Sequence, residues 1–266
     1  MTPPEAPPAA EPVLEMEGLT VGSADAPGRP RIEGIHGRLQ TGDFWVVLGL
    51  HGSGKSDLLL TLAGLQRPLA GRLRWFGQDV EQMPPDVAVG LRRRMGLVFE
   101  NGGRLFHRLT ALENVALPLC YHENRSWVEV APRAEALLDA LDLRGWAHVT
   151  PGRLRPAVRQ RVALARALAL EPDVLLLDNP VAGLSAPEIR WWRETLRGLS
   201  AGSPPNRGRN LTVLVTCHDW QPWIDLGSRF SLLNEGRWTP LGGREALLGS
   251  QDPLVREGLA VDEAAR

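Results

Sequence analysis

One eight-residue segment constrains the fold of this chain more than any other feature. Residues 49–56 read G-L-H-G-S-G-K-S, a full match to the phosphate-loop pattern G-x-x-x-x-G-K-[ST]. The apolar run Phe44–Leu48 before it predicts a buried strand, and the apolar segment Leu58–Leu65 after it predicts a helix. A glycine-rich loop between a buried strand and a helix is the context that such a motif requires.

The segment supplies the groups that hold a chain of phosphates. Its glycines let successive backbone N–H groups curl around phosphate oxygens, and the positive end of the helix dipole strengthens their field. We expect Lys55 to reach the outer phosphates and the Ser56 hydroxyl to ligate Mg²⁺. The predicted nucleotide-binding residues are Gly49, Leu50, His51, Gly52, Ser53, Gly54, Lys55, Ser56 and Asp57. The alternative is a glycine-rich turn that only connects strand to helix.

The use of lysine favours phosphate binding. Lys55 is the only lysine among the 30 Lys and Arg residues of the chain, which otherwise uses arginine at its basic positions. A compact ammonium and a planar guanidinium are not interchangeable among phosphates. The position of this lysine therefore indicates a specific requirement for an ammonium group in the loop.

A second metal ligand is expected at the end of another buried strand. The apolar run Val174–Leu177 predicts that strand, and Asp178 follows it directly. A carboxylate there would complement the Ser56 hydroxyl as a ligand for Mg²⁺. The alternative is that Asp178 only caps the following turn.

Composition narrows the class of protein. The net charge is −1, so no global field attracts nucleic acid, and no nucleic-acid partner is expected. No apolar run approaches the ~20 residues of a membrane span. Two cysteines make neither a disulfide framework nor a paired metal motif. Residues 1–12, rich in Pro, Ala and Glu, predict a disordered tail. Strand and helix patterns alternate afterwards, which predicts an α/β core with a helical subdomain at about 100–165.

Further segments resemble the ATP-binding subunits of ABC transporters over about residues 13–258. Leu105–Leu119 reads L-F-H-R-L-T-A-L-E-N-V-A-L-P-L, and Arg159–Asp178 reads R-Q-R-V-A-L-A-R-A-L-A-L-E-P-D-V-L-L-L-D. His218, in T-C-H-D, matches the switch histidine of that family. Glu113–Leu119 and Asp252–Leu259 most resemble the Mla/MCE-type lipid-transport subgroup.

The resemblance implies a P-loop NTPase fold of the ABC cassette type. It implies a RecA-like core, an antiparallel β subdomain and a helical subdomain within one ATP-binding domain at 13–243, followed by a C-terminal extension at 244–266. It also implies ATP and Mg²⁺ as ligands, a second cassette in a homo- or heterodimer, and a membrane permease subunit as partners. The expected location is cytoplasmic, at the inner face of the membrane through the permease.

The sequence departs from the family pattern at the groups that cleave ATP. Asn179 follows Asp178 where the family has a catalytic glutamate, and Glu100 stands where a glutamine is expected. An asparagine holds water by hydrogen bonds but cannot take its proton. Glu100 would either bind Mg²⁺ more strongly than glutamine or repel the γ-phosphate. The resemblance therefore implies Asn179, His218 and Glu100 as catalytic-site residues, and Ser56, Asp178 and Glu100 as metal ligands.

The segment aligned with the family's L-S-G-G-Q signature also departs from the pattern. It reads Leu154, Arg155, Pro156, Ala157 and Val158, without the serine donor and the glycines. The family has a serine or threonine at the position of Asp57 and an aspartate at that of Ser185. The stacking aromatic residue that the family has near the position of Val21 is also absent. We therefore expect nucleotide binding with weakened hydrolysis. The alternative is a non-catalytic structural or regulatory subunit paired with an active cassette.

Overall fold

The structure is a computed structural model that describes residues 12–26, 28–205 and 208–263, with side chains to residue 259. The expected disordered tail therefore lies outside the described residues, apart from Pro12. The strands are β1 (Leu14–Gly22), β2 (Pro30–Leu39), β3 (Phe44–Gly49), β4 (Ala70–Trp75), β5 (Gln78–Asp79), β6 (Met95–Val98), β7 (Val174–Asp178), β8 (Thr212–Cys217), β9 (Arg229–Asn234) and β10 (Arg237–Gly242). The helices are α1 (Lys55–Leu62), α2 (Pro85–Arg92), α3 (Ala111–Glu123), α4 (Trp127–Ala140), α5 (Pro156–Leu168), α6 (Ala186–Ser200), α7 (Arg244–Leu248) and α8 (Pro253–Glu263).

The strands form one sheet with a parallel half and an antiparallel half. Its order is β5-β4-β1-β2-β10-β9-β3-β8-β7-β6. Strands β9, β3, β8, β7 and β6 run parallel to one another, whereas β5, β4, β1 and β2 pair antiparallel. The hairpin β9–β10 joins the two halves through a single parallel pairing of β10 with β2. The expected α/β core and antiparallel β region are therefore both present.

The central strands are buried on both faces, as parallel strands covered by helices are. Every residue of β3, β7 and β8 is buried. One face of the sheet packs against the helices from α3 to α6, and the other packs against α1 and the antiparallel strands. This arrangement brings the carboxyl ends of β3 and β7 to one edge of the sheet, where the phosphate loop begins.

The helices between β6 and β7 begin at capping residues. Thr110 and Glu113 form a capping box at the start of α3, and Ser126 and Glu129 form one at the start of α4. The apolar pattern alone predicts the second helix over 131–143, but the structure places it at Trp127–Ala140, because the capping box fixes its first turn. Helix α5 begins at Pro156, because a proline is tolerated in the first turn, where its missing N–H costs little.

The C-terminal segment differs from its prediction. Residues 260–266 are expected to be frayed, yet α8 continues to Glu263, and residues 264–266 lie outside the described part. Upstream of this end the helix packs on the core through buried Val255. Within the described residues, no helix is both long and apolar enough to cross a membrane.

Candidate functional site: a phosphate-loop cleft

The phosphate loop connects β3 to α1 through two glycines with left-handed backbone conformations. Gly52 has φ 76°, and Gly54, which caps the N-terminus of α1, has φ 97°. A Cβ atom at Gly54 would also lie 2.7 Å from Cγ of Arg31. Both the backbone angle and the close approach favour glycine at this position. The loop lines a cleft of about 340 Å³.

Lys55 is held inside the loop by the backbone. Its Nζ donates hydrogen bonds to the carbonyl oxygens of Gly49 at 2.6 Å and Leu50 at 2.8 Å. Only 5% of the residue is exposed, and this burial lowers the pKa of its ammonium group. Nδ1 of His218 lies 3.1 Å from the same Gly49 oxygen and 3.4 Å from Nζ. The structure thus brings the predicted lysine and the predicted histidine together at the end of β3.

Ser56 and Asp178 form the candidate metal site. The Ser56 hydroxyl donates a 2.6 Å hydrogen bond to Oδ2 of Asp178, and the Thr216 hydroxyl donates a 3.0 Å bond to Oδ1. Burial raises the pKa of the Asp178 carboxyl, although these two hydrogen bonds oppose the rise. A hydroxyl and a carboxylate are the oxygen donors that Mg²⁺ takes from proteins when phosphate oxygens and water complete its shell. These residues fit Mg²⁺ bound together with a phosphate chain.

The described residues hold no group of three or more His, Cys, Asp and Glu side chains able to bind a metal ion alone. Mg²⁺ characteristically uses one or two carboxylates plus phosphates. The candidate site at Asp178 is of that type.

Asn179 and Glu100 contact each other across the cleft. The side-chain amide of Asn179 donates a 2.9 Å hydrogen bond to Oε1 of Glu100, which opens a short 3₁₀ turn at Glu100–Gly102. Asn179 is buried and has a left-handed backbone with φ 42°. Its backbone N–H is also bonded to Thr216. The residue next to the candidate metal ligand therefore offers a hydrogen-bond donor but no proton acceptor.

Asp57 does not point its charge freely into the phosphate site. Its Oδ1 accepts a 2.9 Å hydrogen bond from the backbone N–H of Ala24, in the loop between β1 and β2. Asp57 also lies in the first turn of α1, where a carboxylate interacts favourably with the helix dipole. Ser185 has a similar local role, because it caps α6 in a capping box with Glu188.

The segment 154–158 lies apart from the cleft. Leu154 and Ala157 are buried in the core, Arg155 is the exposed N-cap of α5, and Pro156 occupies its first turn. None of these residues, nor Val158, is among those that line the cleft within the described chain. Helix α5 is therefore present, and the segment at its start lies outside the cleft.

Two arginines that the sequence reasoning did not select line the cleft. Arg31 comes from β2, and Arg104 follows the 3₁₀ turn that contains Glu100. Neither belongs to a motif, and Arg31 stands 24 residues before Lys55 in the chain. Only the folding of β2 beside the loop brings Arg31 to the site.

Comparison with known proteins decides the family. Residues 32–182 match the family model described as "ABC transporter". The chain belongs to the ABC transporter family. The structure of this cassette agrees with that of the dimeric ATP-binding cassette MJ0796 in a post-hydrolysis state bound to ADP and Pi. That comparison has a TM-score of 0.75 and 28% identity, and covers 86% of this chain and 99% of the other. The expected P-loop NTPase fold of the ABC cassette type is thereby confirmed.

Two curated relatives of the cassette are named for sulfate and thiosulfate import. The sulfate/thiosulfate import ATP-binding protein CysA of Caulobacter vibrioides is 35% identical over 216 residues, which are 80% of this chain and 60% of that protein. The probable counterpart from Chlorella vulgaris is 37% identical over 235 residues, 88% of this chain and 92% of that protein. The cassette thus spans less than two thirds of the Caulobacter relative. The expected likeness to the lipid-transport subgroup gains no support from these relatives.

Proposed function

We propose that the chain binds Mg-ATP as the nucleotide-binding subunit of an ABC transporter and couples its nucleotide state to a membrane permease. The observation that carries this proposal is the convergence of Lys55, Ser56 and Asp178 on one cleft. Lys55 and Ser56 come from the first turn of α1, and Asp178 comes from the end of β7, which is distant in sequence. Family membership supports the same ligand.

Lys55 would bind the outer phosphates by exchanging its backbone partners for phosphate oxygens. Its ammonium group lies against the Gly49 and Leu50 carbonyls at 2.6 and 2.8 Å, and these are the contacts that it would give up. The N–H groups of residues 49–57 would surround the rest of the phosphate chain. Ser56 and Asp178 would hold Mg²⁺, which neutralises charge on the phosphates when bound.

We expect His218 to contact the nucleotide at the phosphate end of the cleft. It shares the Gly49 carbonyl with Lys55, and burial together with the nearby ammonium lowers the pKa of its imidazole. A neutral imidazole accepts or donates one hydrogen bond at each nitrogen. The histidine would contact the γ-phosphate once Lys55 turns away from Gly49.

We propose that ATP hydrolysis by this chain is slow. Asn179 occupies the position next to Asp178, and its side-chain amide donates a 2.9 Å hydrogen bond to Glu100. Because an amide cannot take a proton from water, Asn179 supplies no general base. General-base catalysis contributes about 10²–10⁴-fold to a reaction rate. The segment 154–158 supports the same proposal, because it contains no serine that could donate a hydrogen bond to nucleotide bound by a partner cassette.

The same observations favour a second candidate, a non-catalytic subunit that binds ATP beside an active cassette. ATP binding alone can close a pair of cassettes, but reopening then depends on nucleotide exchange or on the partner. A measurement of ATP turnover with and without the partner cassette separates the two candidates. Turnover that requires the partner's catalytic residues supports the second.

For cargo, the relatives support a small oxyanion such as sulfate or thiosulfate over a lipid. Uptake of labelled sulfate by cells that lack this gene tests the cargo.

The proposed assembly also contains a permease and a second cassette, which is identical to this chain or different from it. Within this chain we propose an ATP-binding domain at 13–243, with a helical subdomain at about 100–165, and a C-terminal extension at 244–266.

Titration of the purified protein with Mg-ATP tests the proposed function itself. We expect saturable binding that Lys55→Ala removes. A lack of binding by the unmodified protein would contradict the proposal.

A further inference from the structure

Arg31 lies along the phosphate loop, although it is outside the loop's motif. A Cβ atom built on Gly54 would lie 2.7 Å from Cγ of Arg31, and one built on Gly52 would lie 3.5 Å from its Nη2. The stem of the side chain therefore passes Gly54, and the guanidinium lies beside Gly52. Arg31 also lines the cleft that contains Lys55 and Ser56.

Within the described part of the chain, the Arg31 guanidinium has no side-chain partner: no carboxylate pairs with it and no aromatic ring stacks on it. The second guanidinium of the cleft differs in this respect, because Cζ of Arg104 lies 4.1 Å from the centroid of the Phe99 ring. Arg31 is exposed at the cleft, so a bound anion can reach it.

Among the described residues that line the cleft, acidic side chains outnumber basic ones. The carboxylates are those of Asp25, Asp57, Glu100 and Asp178, and the cations are those of Arg31, Lys55 and Arg104. A phosphate chain adds further negative charge, so each cation that reaches it contributes to binding. A guanidinium offers several donors in a plane and binds phosphate oxygens in a bidentate manner.

We propose that Arg31 is a second phosphate-binding cation of this cleft and contacts the phosphate chain of the nucleotide. This inference rests on the proposed binding of Mg-ATP. It adds a residue from β2 to a site that the loop, α1 and β7 otherwise build.

A guanidinium also stacks on planar rings, so contact with the nucleotide base is the competing role. No Phe, Tyr or Trp side chain is among the described residues that line the cleft, and a stacking partner for the base is therefore lacking. However, the Arg31 guanidinium lies beside Gly52, within the turn that curls around phosphates. This position favours the phosphate chain.

The test compares Arg31→Gln with the unmodified protein and with Arg72→Gln. Arg72 is an exposed arginine on β4 that is not among the residues lining the cleft, so its replacement controls for the loss of one positive charge. Isothermal titration gives the dissociation constant of each protein for Mg-ATP. Competition with Mg-tripolyphosphate gives the affinity for the phosphate chain without a base.

We expect Arg31→Gln to weaken both ligands by a similar factor of about tenfold or more, as for a lost charge-assisted contact. Arg72→Gln should stay within about twofold of the unmodified protein. Unchanged binding in Arg31→Gln would overturn the proposal. Weaker binding of Mg-ATP alone, or no competition by tripolyphosphate in the unmodified protein, would also overturn it and point to the base. If the unmodified protein bound no Mg-ATP, the proposed function itself would fail.

Discussion

The Ser56 hydroxyl and the Asp178 carboxylate are joined by a 2.6 Å hydrogen bond, although they are separated by 122 positions in the chain. The bond connects the first turn of α1 to the carboxyl end of β7. Two of the three groups that the sequence predicts as metal ligands, Ser56 and Asp178, are therefore already in contact. Because only 5% of Asp178 is exposed, its ionised form is unfavourable in free energy without a cation beside it.

Asp178→Asn should remove most of the dependence of ATP binding on magnesium. An amide is a weaker ligand for Mg²⁺ than a carboxylate, so the gain in affinity from the ion should fall by about tenfold or more. Titrations with ATP in the presence of Mg²⁺ and in the presence of a chelator measure that gain. Asp173→Asn, at an exposed salt bridge before β7, is the control. An undiminished magnesium effect in Asp178→Asn would show that the ion binds elsewhere.

The affinity for Mg-ATP should decrease as the pH is lowered from neutral. Burial raises the pKa of the Asp178 carboxyl, so protonation removes a metal ligand at a higher pH than for an exposed aspartate. The same shift means that the folded protein holds this proton more tightly than the unfolded chain, so the group's contribution to stability increases on acidification. Dissociation constants over a pH series measure the first effect. A pH profile identical in Asp178→Asn would assign the decrease to another group.

Restoring a carboxylate next to Asp178 should accelerate ATP hydrolysis. The double variant Asn179→Glu with Glu100→Gln exchanges the amide and the carboxylate that now bond at 2.9 Å. A general base contributes about 10²–10⁴-fold, so we expect at least a tenfold increase in phosphate release. Asn179→Gln with Glu100→Gln is the control that adds no base. Equal turnover in both double variants would mean that the missing glutamate does not limit the rate.

Asn114→Ala should destabilise the helical region without touching the cleft. Asn114 is fully buried in α3, where its side chain accepts a hydrogen bond from the Phe106 N–H and donates to the carbonyls of Phe106, Leu109 and Thr110. Removing these contacts leaves buried backbone groups unpaired, so a loss of about 3 kcal/mol in the free energy of unfolding is expected. Urea unfolding measures the loss. The control is Glu135→Ala, an exposed residue on α4. Asn124→Ala is less suitable, because Asn124 has a left-handed backbone that alanine disfavours.

The sequence predicts the order of the elements well because the local signals are strong. Apolar runs predict β3 and β7, and the phosphate loop fixes the junction of β3 with α1. Helix starts are less predictable, because they depend on side chains before the apolar pattern. Ser126, for example, begins α4 several residues before the periodic segment.

The candidate site is predictable only where a motif carries it. Lys55, Ser56 and Asp178 follow from patterns in short segments of sequence, and the structure brings them together. Arg31 has no such signal, because its place at the loop depends on how β2 pairs within the sheet. The hydrogen bond of Asp57 with Ala24 is also invisible in the sequence, for it joins α1 to a loop 33 positions earlier.

Calorimetry measures directly whether the phosphate-loop cleft binds Mg-ATP. We expect saturable binding by the unmodified chain, loss of that binding in Lys55→Ala, and little phosphate release from the bound complex over the same period. No heat of binding in the unmodified chain would contradict it, as would turnover on the usual enzyme scale of roughly 1–10³ s⁻¹.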